Sequence, residues 1–170
     1  MNKTGLFYAT GTEKTAAIAR KIVDAFGDGA IDVVPVERAW KKEFEQYEYL
    51  VAGTSTWFDG ELPSYWDEMM PELQTLDLSG KKVAVFGLGD QVNYPDNFVD
   101  GIGLLAEVFK ACGAELAGCT STDGYYFNQS KGVKDGRFLG LAIDPETQPE
   151  KTNGRIERWV EELKKEGFGS

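Results

Sequence analysis

Five short, almost wholly apolar runs alternate along the chain with stretches whose apolar residues recur at helical spacing, and this alternation limits the possible folds more than any other feature. The runs are residues 5–8, 31–36, 49–53, 83–88 and 139–143. Runs this short and this continuous read as strands covered on both faces. Between them, Ala19, Ile22, Val23 and Phe26 make an i, i+3, i+4, i+7 stripe. Phe98, Ile102, Leu105 and Phe109 make a second, and Ile156, Trp159, Val160 and Leu163 a third. Residues 65–76 also read as a helix, and a shorter helical piece falls between the second and third strands. Strand alternating with helix specifies the α/β class: a doubly wound five-stranded parallel sheet with helices on both faces. No repeat, linker or low-complexity segment interrupts the pattern, so residues 1–170 are expected to form one domain.

Composition removes several classes of function. Lys plus Arg number 18 against 28 Asp plus Glu, a net charge of -10, which argues against nucleic acid and anionic membranes as partners. No apolar run reaches the roughly 18 residues of a membrane span, and the amino-terminal residues show no signal-peptide core. A cytoplasmic location is therefore expected. The chain has no histidine, which takes away the commonest metal ligand and general base. Hydrolytic triads and zinc sites are not expected, and no residue is assigned a catalytic or metal-binding role. Cys112 and Cys119 form no C-x-x-C pair and read as buried thiols.

In a doubly wound sheet, ligands sit beyond the carboxyl ends of the strands, near the point where strand order reverses. The stretch after the first strand is Thr10-Gly11-Thr12-Glu13-Lys14-Thr15. Free backbone N–H groups at a helix start already favour an anion, and three threonine hydroxyls add donors without adding charge. Capping by Thr12 explains one of these hydroxyls but not all three. Neither G-x-x-x-x-G-K-[ST] nor G-x-G-x-x-G is present, so the indicated anion is a phosphate outside the usual nucleotide loops. After the third strand come Ser55, Thr56, Trp57, Phe58, Asp59 and Gly60, and the fourth ends in Leu88 and is followed by Gly89, Asp90, Tyr94 and Asn97. Trp57 and Tyr94, on separate loops beside a phosphate site, suggest a flat ring held between two aromatics. A flat ring with one phosphate and no metal is what FMN offers.

These residues carry a resemblance to the flavodoxins of the long-chain type. The matching stretches are residues 5–8 with Thr10, Thr12 and Thr15; Thr56-Trp57; residues 60–62; residues 86–91 with Tyr94 and Asn97; and residues 121–125. The resemblance covers essentially the whole chain and implies a non-covalent, low-potential, one-electron FMN carrier that replaces ferredoxin. It implies that Thr10 to Thr15 hold the phosphate and that Trp57 and Tyr94 stack on the two ring faces. The carbonyl of the Phe58–Asp59 peptide would turn toward flavin N5 on reduction. Asp90 and Asn97 would lie near the pyrimidine edge and Asp144 near the ribityl chain. Residues 119–140 would be an insertion splitting the fifth strand. Implied partners are basic redox proteins, such as a flavodoxin/ferredoxin reductase and acceptor enzymes, meeting a monomer. The acids Glu61, Asp67, Glu68, Asp96 and Asp100 follow the flavin loops and are expected to ring the exposed edge.

The chain departs from the family at Glu13, where glycine is usual; here the glycine is Gly11. Glu13 suits a helix N-terminus electrostatically and is expected to face solvent. Phe58 replaces a residue that is often small or polar. Asp59 stands where the peptide turn demands a positive φ, which Asp tolerates. The competing reading on the same fold is an FMN-dependent NAD(P)H:quinone or nitro-group reductase, which needs one open ring face. A phospho-accepting receiver domain needs acids after the first and third strands, and residues 8–10 and 53–55 supply none.

Overall fold

The computed structural model describes residues 1–9, 13–56 and 60–170. Its elements run β1 (Thr4–Tyr8), α1 (Glu13–Phe26), β2 (Asp32–Pro35), α2 (Lys41–Glu45), β3 (Tyr49–Ser55), α3 (Ser64–Leu73) and β4 (Lys82–Leu88). They continue with α4 (Asp100–Ala111), β5 (Glu115–Ala117), β6 (Thr120–Ser121), β7 (Val133–Lys134), β8 (Arg137–Phe138), β9 (Leu141–Ile143) and α5 (Thr152–Lys165). The main sheet is parallel, ordered β2-β1-β3-β4-β5, with β9 also paired to β4.

The continuous apolar runs have a two-sided destination. Leu6, Val51, Ala84 and Phe86 pack with Ile18, Ile22, Trp159 and Leu163 of α1 and α5. Their strand neighbours Phe7, Leu50, Ala52, Val83 and Val85 pack with Phe44, Trp66, Leu105 and Phe109 of α2, α3 and α4. Successive side chains thus enter opposite cores, so neither parity of the strand is free to be polar. Trp66, fully buried, donates its indole N–H to Gly53 O at 3.0 Å and ties α3 to the middle strand.

The fifth strand is present in two halves. β5 pairs with the first half of β4, from Lys82↔Glu115 to Ala84↔Ala117, and β9 with the second, from Phe86↔Leu141 to Leu88↔Ile143. The expected last strand at 139–143 is therefore only its second half. β5 escapes notice in the sequence because only Ala117 of its three residues is buried. Between the halves, β6, β8 and β7 form a small antiparallel sheet. Phe98, Tyr125, Phe127 and Phe138 bind it to the body through ring pairs with centroids 4.8–6.0 Å apart. Phe98 belongs to this aromatic nest, two residues before α4, rather than to the helical stripe.

Smaller differences have local causes. The second strand ends at Pro35 because Val36–Arg38 turns into a 3₁₀ helix. Cys112 is buried, as expected, and its Sγ donates to Leu73 O at 3.0 Å. Cys119 is only half-buried, a correction to the reading of two buried thiols. Burial holds both thiols above the ordinary range, so neither is an activated thiolate.

Candidate functional site

The order β2-β1-β3-β4 places the reversal of strand order between β1 and β3. Chain direction leads outward from β1 to β2 on one side and from β3 to β4 on the other, which opens a crevice over their carboxyl ends. Those ends finish level on one side of it, since Ser55 pairs with Leu88 and Leu88 with Ile143. A cleft of about 570 Å³ lies there. Among the described residues it is lined by Glu13, Lys14 and Thr15 from α1, Ser55 at the end of β3 with Thr56 beyond it, and Leu88 at the end of β4 with Gly89, Asp90 and Tyr94 beyond it. Pro145 and Glu146, after β9, complete the lining.

Nine residues singled out in the sequence are thus gathered around one cleft. Thr10, Gly11, Thr12, Trp57, Phe58 and Asp59 lie outside the described residues. Glu13 is exposed at the first turn of α1, on the side of the helix dipole that suits a carboxylate. Thr15 Oγ1 and Ser55 Oγ are both buried and neither has a hydrogen-bond partner. A buried hydroxyl without a partner carries a desolvation cost of about 1–3 kcal/mol, so two of them on one cleft mark a place built for an acceptor. The first backbone N–H groups of α1, which no helical carbonyl can reach, face the same need.

Tyr94 stands on the opposite side, 60% exposed, its N–H bonded to Asp90 O at 3.0 Å. An aromatic ring left open on a cleft wall is a surface for another ring to cover. Asp90 shapes the loop that presents it: Oδ1 accepts from Val92 N at 3.1 Å and Asn93 N at 2.8 Å, and Oδ2 from Asn93 Nδ2 at 2.7 Å.

Three expected site residues sit off the cleft lining. Asp144 is fully buried and holds the loops together. Its carboxylate accepts from Gln91 N at 3.1 Å, Gln91 Nε2 at 2.8 Å, Thr147 N at 2.9 Å, Glu146 N at 3.1 Å and the Thr147 hydroxyl. It braces the rim from below, and Pro145 and Glu146 stand at the cleft instead. Asn97 turns its amide to Asp100 Oδ2 at 3.1 Å. Gly60, at φ +95°, packs against that pair, and a Cβ there would stand 2.4 Å from Asp100 Oδ2. Asp100 is itself buried, with Oδ1 accepting from Lys131 N at 2.7 Å, and so does not belong to the exposed acidic ring. Glu61, Asp67, Glu68 and Asp96 are exposed.

Two further features were not read from the sequence. Gln91, 3% exposed, joins three loops: besides Asp144, its Oε1 accepts from Tyr126 N of the insertion at 2.5 Å. Lys14 and Glu146 form an ion pair between α1 and the segment after β9. Thr56, which does line the cleft, directs its Oγ1 to accept from Gly101 N at 2.9 Å and so seats the start of α4.

The fold and cleft define a doubly wound α/β domain that opens a cleft over its strand ends. The flavodoxin family model matches residues 6–159. The chain is 46% identical over 167 residues to a flavodoxin of Nostoc sp., covering 98% of each. It is 39% identical over 164 residues to flavodoxin 1 of Escherichia coli, covering 96% of this chain and 93% of that one. A solved structure of Fusobacterium nucleatum flavodoxin bound to flavin mononucleotide superposes with a TM-score of 0.92 at 36% identity, covering 98% of this chain and 99% of that one. The chain belongs to the flavodoxin family. Among the described residues, no helix is long and apolar enough to cross a membrane, and no group of His, Cys, Asp and Glu is placed to hold a metal ion.

Proposed function

We propose that the protein is a low-potential electron carrier that holds FMN non-covalently in the cleft above β1, β3 and β4. In this reading it moves electrons singly between a reductase and acceptor enzymes, in place of ferredoxin, as a monomer in the cytoplasm. The observation that carries the proposal is the pair of buried, unpartnered hydroxyls, Thr15 Oγ1 and Ser55 Oγ, on the wall of a cleft of about 570 Å³. They fit the phosphate and polar chain of FMN, and the open Tyr94 fits its ring. Thr10, Gly11, Thr12, Trp57, Phe58 and Asp59 complete the proposed cofactor set, with Asp144 holding the rim rather than the ligand.

The flavin supplies the redox chemistry, and the chain sets the conditions under which it works. Thr15 and the first N–H groups of α1 would hold the phosphate through hydrogen bonds, without an arginine. Tyr94 would exclude water from one ring face, which disfavours any charge that builds up on the ring. Asp90 and Glu13 line the same cleft, and Glu146 stands there paired with Lys14. A carboxylate about 10 Å from a developing negative charge, at an effective dielectric of about 20, opposes it by roughly 1.7 kcal/mol before salt screening. For one electron that is on the order of 70 mV, at about 59 mV per tenfold. Several such carboxylates, in a protein of net charge -10, make the second electron strongly reducing. The exposed Glu61, Asp67, Glu68 and Asp96 would draw basic partner surfaces toward the cleft. The alternative reductase needs one ring face left open to substrate, and family membership favours the carrier.

Tyr94→Ala tests the ring contact. It is expected to weaken FMN binding about fivefold or more, from an aromatic contact worth roughly 1 kcal/mol, and to make the second reduction easier because water reaches the ring. Titration of apoprotein with FMN and of holoprotein with reductant reads both effects. Unchanged affinity together with an unchanged second potential would assign Tyr94 to the surface alone.

A further inference from the structure

A second cavity, of about 340 Å³, lies between the insertion and α5, and among the described residues none lines both it and the flavin cleft. Its walls include Arg137, Arg155 and Arg158, with Leu141 and Trp159 as apolar surface. Arg155 is 8% exposed, and its Nη1 is buried with no hydrogen-bond partner. Its Nη2 makes one long bond, 3.5 Å to Gly124 O, a carbonyl that already accepts a shorter one, 2.9 Å, from Gln148 Nε2. The guanidinium lies over the Tyr125 ring, with Cζ 3.8 Å from the centroid, which offsets part of its burial but satisfies no N–H.

The surrounding charges sharpen the point. The protein carries 28 acidic side chains, yet among the described residues the ion pairs are made by lysines, and none joins a carboxylate to Arg137, Arg155 or Arg158. Asp123 and Glu162 also line the cavity, without pairing to these arginines. Lys151 Nζ approaches the same loop, 3.6 Å from where a Cβ on Gly124 would stand, and Arg155 Nη2 is 3.7 Å from that point. Buried cations normally find a carboxylate or another strong acceptor. Here several guanidinium groups converge on a cavity that leaves one of them short of an acceptor.

We propose that this cavity is a second ligand site, which binds a small oxyanion, phosphate- or carboxylate-bearing, on Arg155 and Arg158 with its organic body against Trp159. The planar forks of arginine suit a bidentate oxyanion. The site is independent of FMN. Tyr125 connects it to the main sheet, since its hydroxyl donates to Ala142 O in β9 at 2.7 Å.

The test uses ¹⁵N-labelled, FMN-loaded protein, so that the flavin cleft is already filled. Inorganic phosphate, phenyl phosphate and benzoate are titrated separately at constant ionic strength held with sodium chloride. Saturable shifts are expected at the Trp159 indole N–H, the arginine side chains and residues 118–125, with an unchanged flavin spectrum. Tighter binding of phenyl phosphate than benzoate assigns a phosphate ligand, and the reverse order a carboxylate. Arg158→Gln, at an exposed side chain, is expected to weaken the binding at least fivefold, and it carries the test should Arg155→Gln fail to fold. Shifts that do not saturate, shifts that chloride alone reproduces, or saturable binding untouched by Arg158→Gln would each overturn the proposal.

Discussion

Thr15→Val is expected to weaken FMN binding at least tenfold while leaving the apoprotein as stable as before, or more so. The two effects share one cause. Thr15 sits in the first turn of α1 with its Oγ1 buried and unpartnered, so without a ligand the hydroxyl is a cost to the fold. Valine keeps the branched shape and removes the polar atom, which relieves that cost. With FMN bound in the proposed way, the same hydroxyl would donate to a charged phosphate, an interaction worth about 1.5–3 kcal/mol, or roughly ten- to 150-fold in Kd. Riboflavin lacks the phosphate and should lose far less. Thr12→Val carries the same expectation from the sequence alone. Isothermal titration of apoprotein with both flavins, beside calorimetric melting, separates the outcomes. Equal losses for FMN and riboflavin, or a fall in apoprotein stability, would make the hydroxyl structural and move the phosphate elsewhere.

Gly140→Ala is expected to destabilise the protein by about 3 kcal/mol or more and to weaken FMN binding with it. A Cβ on Gly140 would stand 2.0 Å from Val85 O and 2.8 Å from Val85 C. Those are backbone atoms of β4, inside the sheet, and they cannot swing aside as a side chain can. Relief requires the chain leading into β9 to move off β4, against the pairing of Leu141, Ala142 and Ile143. Overpacking of this kind costs about 1–3 kcal/mol, occasionally more, and backbone against backbone belongs at the upper end. For a domain of this size each 1 kcal/mol lowers Tm by about 2–4 °C, so a fall of roughly 6–12 °C should be seen. Ligand binding follows because Asp144, the next residue after β9, holds Gln91 and the loop that carries Tyr94. Gly136→Ala is the control: at φ +77° with nothing within 4 Å of its Cβ, it should lose only the left-handed backbone term, about 1–2 kcal/mol, and leave FMN binding alone. A Gly140→Ala protein that melts like the parent would show that the two halves of the fifth strand separate without penalty.

The parts of the fold that could be read in the sequence are those whose signal is local. β1, β3 and β4 announce themselves because Leu6 and Phe7, or Ala84 and Val85, enter opposite cores and both must be apolar. β5 does not, because Glu115–Ala117 is three residues at the edge of the sheet. The aromatic nest of Phe98, Tyr125, Phe127 and Phe138 is assembled from two-residue strands and loops far apart in the chain, and no periodicity foretells it. The site followed the same rule. Thr15, Ser55, Thr56, Gly89, Asp90 and Tyr94 were legible because residues just past a strand end reach the crevice whatever their type. Asp100, Asn97 and Asp144 were not, since a polar residue after a strand reads alike whether it faces a ligand or caps the loop beneath. Here the three turn to Lys131, Asp100 and Gln91. Arg155 and Arg158 are neighbours on α5, but the cavity they line with Arg137 forms only when the insertion folds against that helix.

The most direct test of the carrier reading is an anaerobic potentiometric titration of the FMN-loaded protein, followed by visible absorption. Two separate one-electron steps are expected, with the second more negative than that of free FMN, because in the proposed complex Tyr94 and the carboxylates around the cleft would oppose charge on the ring. A single two-electron step near the potential of free FMN would contradict it, since a site of that kind accepts hydride as an enzyme does and does not pass electrons singly.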